Sequence, residues 1–491
     1  MFESFSLYPF SFWIVIFLLV VGGLWAIHRI SEGIGLPVLA VLGTAAVWYI
    51  GDALYNDYAH NHMEKFSSGN LAIAWWEVAC FIFFLLILTP GINRFINLER
   101  YHNPSFVFTM FKAGVHNPTL SAQIEQLFRG CVAIWVVLSL LAFTRVGWDI
   151  PYYYFPFLGD KADPWGRTRV GTGFDALWSF ASYFQTFLGG AFGIVAALTT
   201  RRKTLYLALL GCLTTWPYYL FDRTRNTMLA TVLPGVLCWV FLRFRGNLVA
   251  KFALITLCFF ATEIWFANVI YSRSQGVAIT AAIKGDGYSL LRKEKTHHDG
   301  LDMFEELCWI NTFIEDGTYT PNWGHRYFAE LANPIPRSLW PGKPFIGIDY
   351  AIARGQGGGA DDQAGVNASV STGMIGQGVV NFGRIIGPIF AALLISIWVS
   401  ILARMDLDGN QLGRVPLYLI GIVLTFNLGR DITLMTLYPF IFGAALVWLS
   451  NRRLSNQRKR MQQAYVVSQR RRRPSKGSAE DNRGLNYPPS Y

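Results

Sequence analysis

The residues in this chain with chemistry to offer are mostly cations placed where apolar runs end. Arg223, Arg225 and Arg430 stand at such ends, and Arg273, Arg337, Lys343, Arg354 and Arg384 lie in or border one long connection, 272–384. A guanidinium is a planar fork that matches phosphate oxygens, so several convergent arginines can hold a pyrophosphate. The alternative is local pairing, Asp222 with Arg223 and Asp431 with Arg430; Arg337 and Lys343, however, have no acid within five positions in sequence. The same connection holds acid–base material in Glu305, Glu306, Glu315, Asp316, His325, Glu330 and Asp349. From these we take Arg337, Lys343, His325 and Glu330 as candidate catalytic residues. Arg223, Arg225, Arg273, Arg354, Arg384 and Arg430, with Trp340 and Asn381, are the candidate substrate-binding residues.

Metal and nucleotide chemistry find less support. His297-His298-Asp299 places adjacent ligands on a polar, Lys-rich segment, which seldom closes a coordination shell, so no metal is expected. "GTGFDA" (171–176) and "GQGGGA" (355–360) are glycine-rich, but neither follows a strand nor opens a helix as phosphate-cradling loops do. No cofactor is expected. The cysteines are widely separated and form neither a disulfide framework nor a metal spacing.

Composition sets the frame that must position these groups. Of 491 residues 53% are hydrophobic and only 15% charged, well below the roughly 25% charged of a soluble domain. The apolar residues fall into repeated runs of about 20, the length that crosses a bilayer as a helix. The fold class expected is therefore an all-α polytopic membrane protein. About eleven spans can be read: 9–28, 33–51, 71–89, 127–147, 173–199, 204–221, 226–244, 249–271, 385–403, 414–429 and 432–450. The amino terminus lacks a basic leader and reads as a retained first span. Placing Lys and Arg on the cytoplasmic side puts "RRK" (201–203), "RFRGNLVAK" (243–251) and the carboxyl-terminal tail inside, and the amino terminus outside. Between Arg452 and Lys476 the tail carries ten Lys/Arg and no acid. It reads as an anchor on anionic membrane lipid rather than a nucleic-acid site.

The organisation expected is thus helices over 1–271, a large outer loop over 272–384, helices again over 385–451, and a basic tail over 452–491. A loop longer than a hundred residues is more than a connector. Within it, Met303, Leu307, Ile310 and Ile314 recur at helical spacing, which predicts an amphipathic helix on the bilayer or over a cavity. "NPIPRSLWPGKP" follows, where proline density excludes both helix and strand interiors. Stiff prolines would hold Arg337, Trp340 and Lys343 with little ordering entropy to lose. Glu77 and Glu263, inside expected spans, are either functional or buried against a neighbouring helix.

Pro334-Ile335-Pro336-Arg337-Ser338-Leu339-Trp340-Pro341-Gly342-Lys343-Pro344, followed by "GMIGQGVVNFGRIIGPIFAALL", resembles the bacterial O-antigen polymerase (Wzy-type) family. Members carry a similar proline segment in a large outer loop and a glycine-rich run, here Gly378 to Gly383, leading into a late span. The "RTRN" and "GRD" turns also fall where the family tends to place arginines, and Arg354 precedes Gly365 by eleven positions. Where members often have Gly-Glu, this chain has Gly376-Gln377. The resemblance covers mainly residues 220–440. It implies a GT-C-like helical bundle in the inner membrane and a metal-independent glycosyl transfer at the periplasmic face. The substrate implied is an undecaprenyl-pyrophosphate-linked oligosaccharide, and a chain-length regulator and a flippase of the same pathway are the implied protein partners. An O-antigen ligase remains open, as does a transferase using a polyprenyl-phosphate sugar, which would draw on the acids Asp52, Asp57 and Glu64 of the first outer loop. A lipid-linked glycan flippase is the further alternative, although no internal repeat of the transporter kind is found.

Overall fold

The computed structural model describes residues 8–55, 66–99, 103–113, 118–154, 164–165, 175–220, 225–244, 246–247, 249–251, 253–258, 261–262, 264–265, 303–336, 338–355, 370–409, 411 and 413–472. Among them there is no strand. The helices are α1 (Phe10–His28), α2 (Gly35–Ala45, extended by Ala46–Gly51 and Asp52–Tyr55), α3 (Ser68–Ile96), α4 (Phe106–Ala113), α5 (Pro118–Arg145), α6 (Ile150–Tyr154), α7 (Asp175–Leu198), α8 (Arg202–Leu220) and α9 (Arg225–Cys238). They continue with α10 (Met303–Glu315), α11 (His325–Ala332), α12 (Ile348–Ala353), α13 (Gly373–Leu407), α14 (Arg414–Leu428) and α15 (Leu434–Arg472).

Among the described residues six stretches are long and apolar enough to cross a membrane: Phe10–His28, Gly35–Leu54, Ser68–Ile96, Ile124–Arg145, Ala181–Leu198 and Gly373–Leu407. This is a helical membrane protein. Thr227–Phe241, Val249–Cys258 and Arg414–Leu428 are apolar but shorter, so the described residues give fewer full-length crossings than hydropathy led us to expect. At 15 residues α14 rises only about 22 Å, short of a hydrocarbon core of about 30 Å.

The chain divides into two compact units, Met1–Ala444 and Ala445–Tyr491. In the second, the Arg452 guanidinium lies 5.5 Å from the centroid of the Trp448 ring. The first contains the whole helical core. There α3 and α13 are bound by polar pairs as well as apolar packing: Thr89 Oγ1 lies 3.0 Å from Ser396 Oγ, and Asn97 Nδ2 donates to the Ser400 carbonyl at 3.1 Å. Small residues let α7 and α9 approach backbone to backbone, since a Cβ on Gly193 would lie 2.9 Å from the Gly235 Cα.

The segment that decides the site is α13. Its first ten residues are not the tail of a loop leading to a span at 385, as the hydropathy reading had it, but a buried helical arm. At Gly383 the backbone takes φ 78° and ψ −179°, a conformation open essentially to glycine alone, and the helix breaks. In a straight helix Gly378 and Gly387 would stand about 13.5 Å apart along the axis. Instead a Cβ on Gly378 would lie 2.2 Å from the Gly387 carbonyl oxygen, and the Phe382 and Phe390 rings are 4.6 Å apart. The chain therefore doubles back at Gly383, and every residue from Gly373 to Asn381 is buried.

Candidate functional site

Three stretches remote in sequence meet at this arm: the 303–355 part of the long connection, the arm with its lead-in from Val370, and the turn Gly429–Thr433 between α14 and α15. Each contributes to closing the others' backbone groups. A helix start leaves four N–H groups without intrahelical partners. Here Thr372 N donates to Asp431 Oδ1 (3.2 Å), Gly373 N to the Arg430 carbonyl (2.9 Å), Met374 N to the Gly429 carbonyl (3.0 Å) and Ile375 N to Tyr49 Oη (3.0 Å). Gln377, from the next turn, receives Ile432 N on Oε1 at 2.7 Å and donates Nε2 to the Ile432 carbonyl at 3.1 Å. That accounts for the departure noted at Gly376-Gln377: a carboxylate could accept the first bond but could not donate the second. At the far end of the arm the Val380 carbonyl accepts from Asn322 N and Tyr319 Oη.

α11 joins the turn through two contacts one helical turn apart, an i, i+4 spacing that puts both side chains on one face. Arg326 NH2 reaches Asp431 Oδ1 at 3.2 Å and the Val370 carbonyl at 3.2 Å, while Thr433 Oγ1 donates to Glu330 Oε2 at 2.7 Å. Arg326 is fully buried, and its Nε and NH1 have no hydrogen-bond partner. Gly347, at φ 64°, lies against the guanidinium, where a Cβ would come within 3.1 Å of Cζ. Burial pushes the Glu330 carboxyl up to about 7, against the opposing pull of the Thr433 hydrogen bond.

The structure distributes the candidate residues unevenly. Glu330 and Arg430 belong to this cluster; Arg430 is exposed, with Nε on Ser371 Oγ at 2.7 Å. The local pairing of Asp431 with Arg430 is not what forms, because the carboxylate is taken by Arg326 from 105 residues away. His325 is exposed at the start of α11. Trp340 packs edge-on against Phe328 at 6.2 Å. Lys343 is buried, and its Nζ donates to the Asn333 and Ile335 carbonyls at 2.8 and 2.9 Å, tying the proline-rich segment to itself. Arg354 is bound to Glu306 through Nε and NH2 (2.9 Å for NH2) and sits 4.7 Å over the Trp309 ring, with Tyr350 Oη on the same carboxylate at 2.7 Å. Both cations thus have structural partners, and Lys343 had no acid within five positions in sequence.

Arg384 NH2 donates to the Asn311 carbonyl at 2.6 Å, and Asn311 Nδ2 to Glu77 Oε2 at 2.7 Å, so Glu77 is buried against α10. Asn381 Nδ2 donates to the Gln377 carbonyl at 2.7 Å. The predicted helix over Met303–Ile314 is present as α10, packed on α3 and α13 rather than lying free. Asp52, an acid of the first outer loop, caps it, accepting Phe304 N and Glu305 N on Oδ2. Arg223, Arg273, Arg337, Glu263, Asp57, Glu64 and the His297–Asp299 triplet lie outside the described residues; the backbone of Arg225 opens α9. Among the described residues no group of His, Cys, Asp and Glu could hold a metal ion. Sequence reasoning missed Arg326, whose signal was available in its i, i+4 spacing to Glu330.

Glu330→Gln gives a direct check on the carboxyl's setting. A carboxylic acid whose folded value is raised from 4.5 to about 7 adds stability that is full below about pH 4.5 and is lost as pH rises through 7. The variant should abolish that slope and be relatively more stable than the parent at pH 8, as read by thermal unfolding in detergent across pH 5–8. Parallel curves for the two proteins would remove the buried-carboxyl account.

No family model, curated protein or solved structure matches this chain.

Proposed function

We propose that the protein is a glycosyltransferase that polymerises lipid-linked oligosaccharide repeat units. A glycan on undecaprenyl pyrophosphate would be moved onto the terminal sugar of a second lipid-linked unit. The observation that carries this reading is the buried carboxyl of Glu330, held by Thr433 and raised by burial to about 7, where the long connection, the arm and the terminal turn that carries the exposed Arg430 converge. An acid poised near neutrality suits general-base work. The acceptor hydroxyl attacks the anomeric carbon and passes its proton to Glu330. The bond from that carbon to the diphosphate oxygen breaks, and the diphosphate leaves with its charge met by Arg430 and by the Arg337 that precedes Trp340. Around this we place eleven spans with the amino terminus outside, a GT-C-like bundle in the bacterial inner membrane, and the site at its periplasmic face. Arg223, Arg225 and Arg273 are assigned to the same anionic substrate, and a chain-length regulator and flippase would act beside it.

Purified protein given undecaprenyl-pyrophosphate repeat units is expected to yield a ladder of lengths. Arg430→Ala and Arg337→Ala should each lose the ladder while the protein stays in the membrane fraction, and polymer formation should rise with pH through about 7, as Glu330 loses its proton. A single product band would instead identify a ligase. Full-length polymer from both arginine variants would end the pyrophosphate assignment.

A further inference from the structure

The stretch Trp323–Phe345 is inside out. Its charged side chains among the described residues, Arg326, Glu330 and Lys343, are all buried. Its exposed side chains are mostly large and apolar, Trp323, Phe328, Leu331, Ile335, Leu339 and Phe345, with His325 and Ser338 the polar ones among the described residues; Leu331 and Leu339 are at 66% and 69% against 2% for Arg326. α11 makes the point, since its inward face is Arg326, Ala329 and Glu330, and its outward face is Phe328 and Leu331 with His325 at its first turn. A helix lying on a core in water has the opposite pattern, an apolar stripe inward and charge outward. A contiguous apolar surface left facing outward marks a partner or a membrane.

The neighbouring surface tells which. Trp323–Phe345 is stitched to the break in α13 by aromatic contacts, Tyr327 to Phe382 at 6.2 Å and Tyr327 to Phe390 at 5.4 Å. Pro321 stands 3.7 Å from where a Gly383 Cβ would be. Directly after that break, the membrane-crossing helix exposes Ile385 and Ile386. The outward face of α11 and the proline-rich segment therefore continues the apolar surface of α13, with His325 the one exposed titratable side chain among the described residues between them. We propose that Trp323–Phe345 is not a loop in water but a membrane-embedded flap, its apolar side chains seated among acyl chains at the interface, as an amphipathic helix lies in a leaflet. Trp323 and Trp340, with their indole N–H groups, suit the headgroup level. A consequence is that the cluster of Arg326, Glu330 and Asp431 is covered by lipid on this side. A ligand with a polyprenyl or acyl tail could then approach sideways from the bilayer. The inference rests on burial and continuity and not on the polymerase reading, so either can fail alone.

Nitroxide labels placed one at a time at Phe328→Cys, Leu331→Cys and Leu339→Cys in the full chain, reconstituted in phosphatidylcholine vesicles, test it. The unsubstituted chain is labelled in parallel to subtract signal from its own cysteines, of which Cys80 and Cys258 are partly accessible. Collision with dissolved oxygen, which partitions into lipid, is expected to exceed collision with a water-soluble nickel chelate at each site. A nickel excess would put the face in water and overturn the proposal. Protection from both quenchers would overturn it too, by showing that protein, including a second copy of this chain, covers the face.

Discussion

Asp431→Ala is expected to destabilise the protein by about 3–5 kcal/mol, the scale for breaking a buried ion pair and leaving one charge behind. The reason is specific to which charge is left. Without Asp431 the Arg326 guanidinium, 2% exposed, keeps only the Val370 carbonyl as an acceptor, and the arm loses the oxygen that takes Thr372 N and Oγ1. Arg326→Ala should cost less, because the carboxylate retains both Thr372 donors. The double variant should lose less than the sum of the two, since pairs in direct contact couple by about 0.5–3 kcal/mol. Denaturant unfolding in detergent reads all three. Equal losses from the single variants would mean that Asp431 serves the arginine alone and not the start of the arm.

Gly378→Ala and Gly387→Ala are the second pair. Each added Cβ would fall within 2.5 Å of the other residue's backbone, and on both sides the atoms in the way are main chain, which cannot rotate aside. Ordinary overpacking costs about 1–3 kcal/mol and is relieved by side-chain shifts. Here relief requires the arm to leave α13, so the loss should reach or pass the upper end of that range, and any activity should go with it. Gly342→Ala, with nothing within 4 Å of its Cβ, is the matched control and should stay within about 0.5 kcal/mol of the parent. Stable, unchanged variants at 378 and 387 would mean that the arm does not pack as described.

Much of the bundle was legible because apolar run length is dictated by the bilayer, and α1, α3 and α7 begin within three residues of where hydropathy puts them. The arm was not. Residues 373–382 are too few to span and too rich in glycine to read as helix, and hydropathy has no term for a chain that turns back. The single φ of Gly383 makes the difference, and no pattern in "NFGRIIG" reports it. The site was half visible. Glu330 and Arg430 stood out by charge, but the partners of Arg354, Arg326 and Lys343 are fixed by tertiary contacts, so sequence distance gave the wrong expectation for Asp431. Arg326 was passed over because an arginine in a short amphipathic helix reads as a surface residue, whereas the surface here is largely the greasy side.

The caps on the arm also carry a timetable. Its first N–H groups are taken by Tyr49, made early, and by residues 429–431, made more than fifty residues after the arm begins. A chain emerging amino end first therefore holds a helix whose start is open until the final two helices are in place. Those last helices act as a latch on the work of the middle of the chain. The polar cluster can be completed only once the 429–433 turn has been made, so a chain stopped short of it in the membrane has no finished site to present to a substrate.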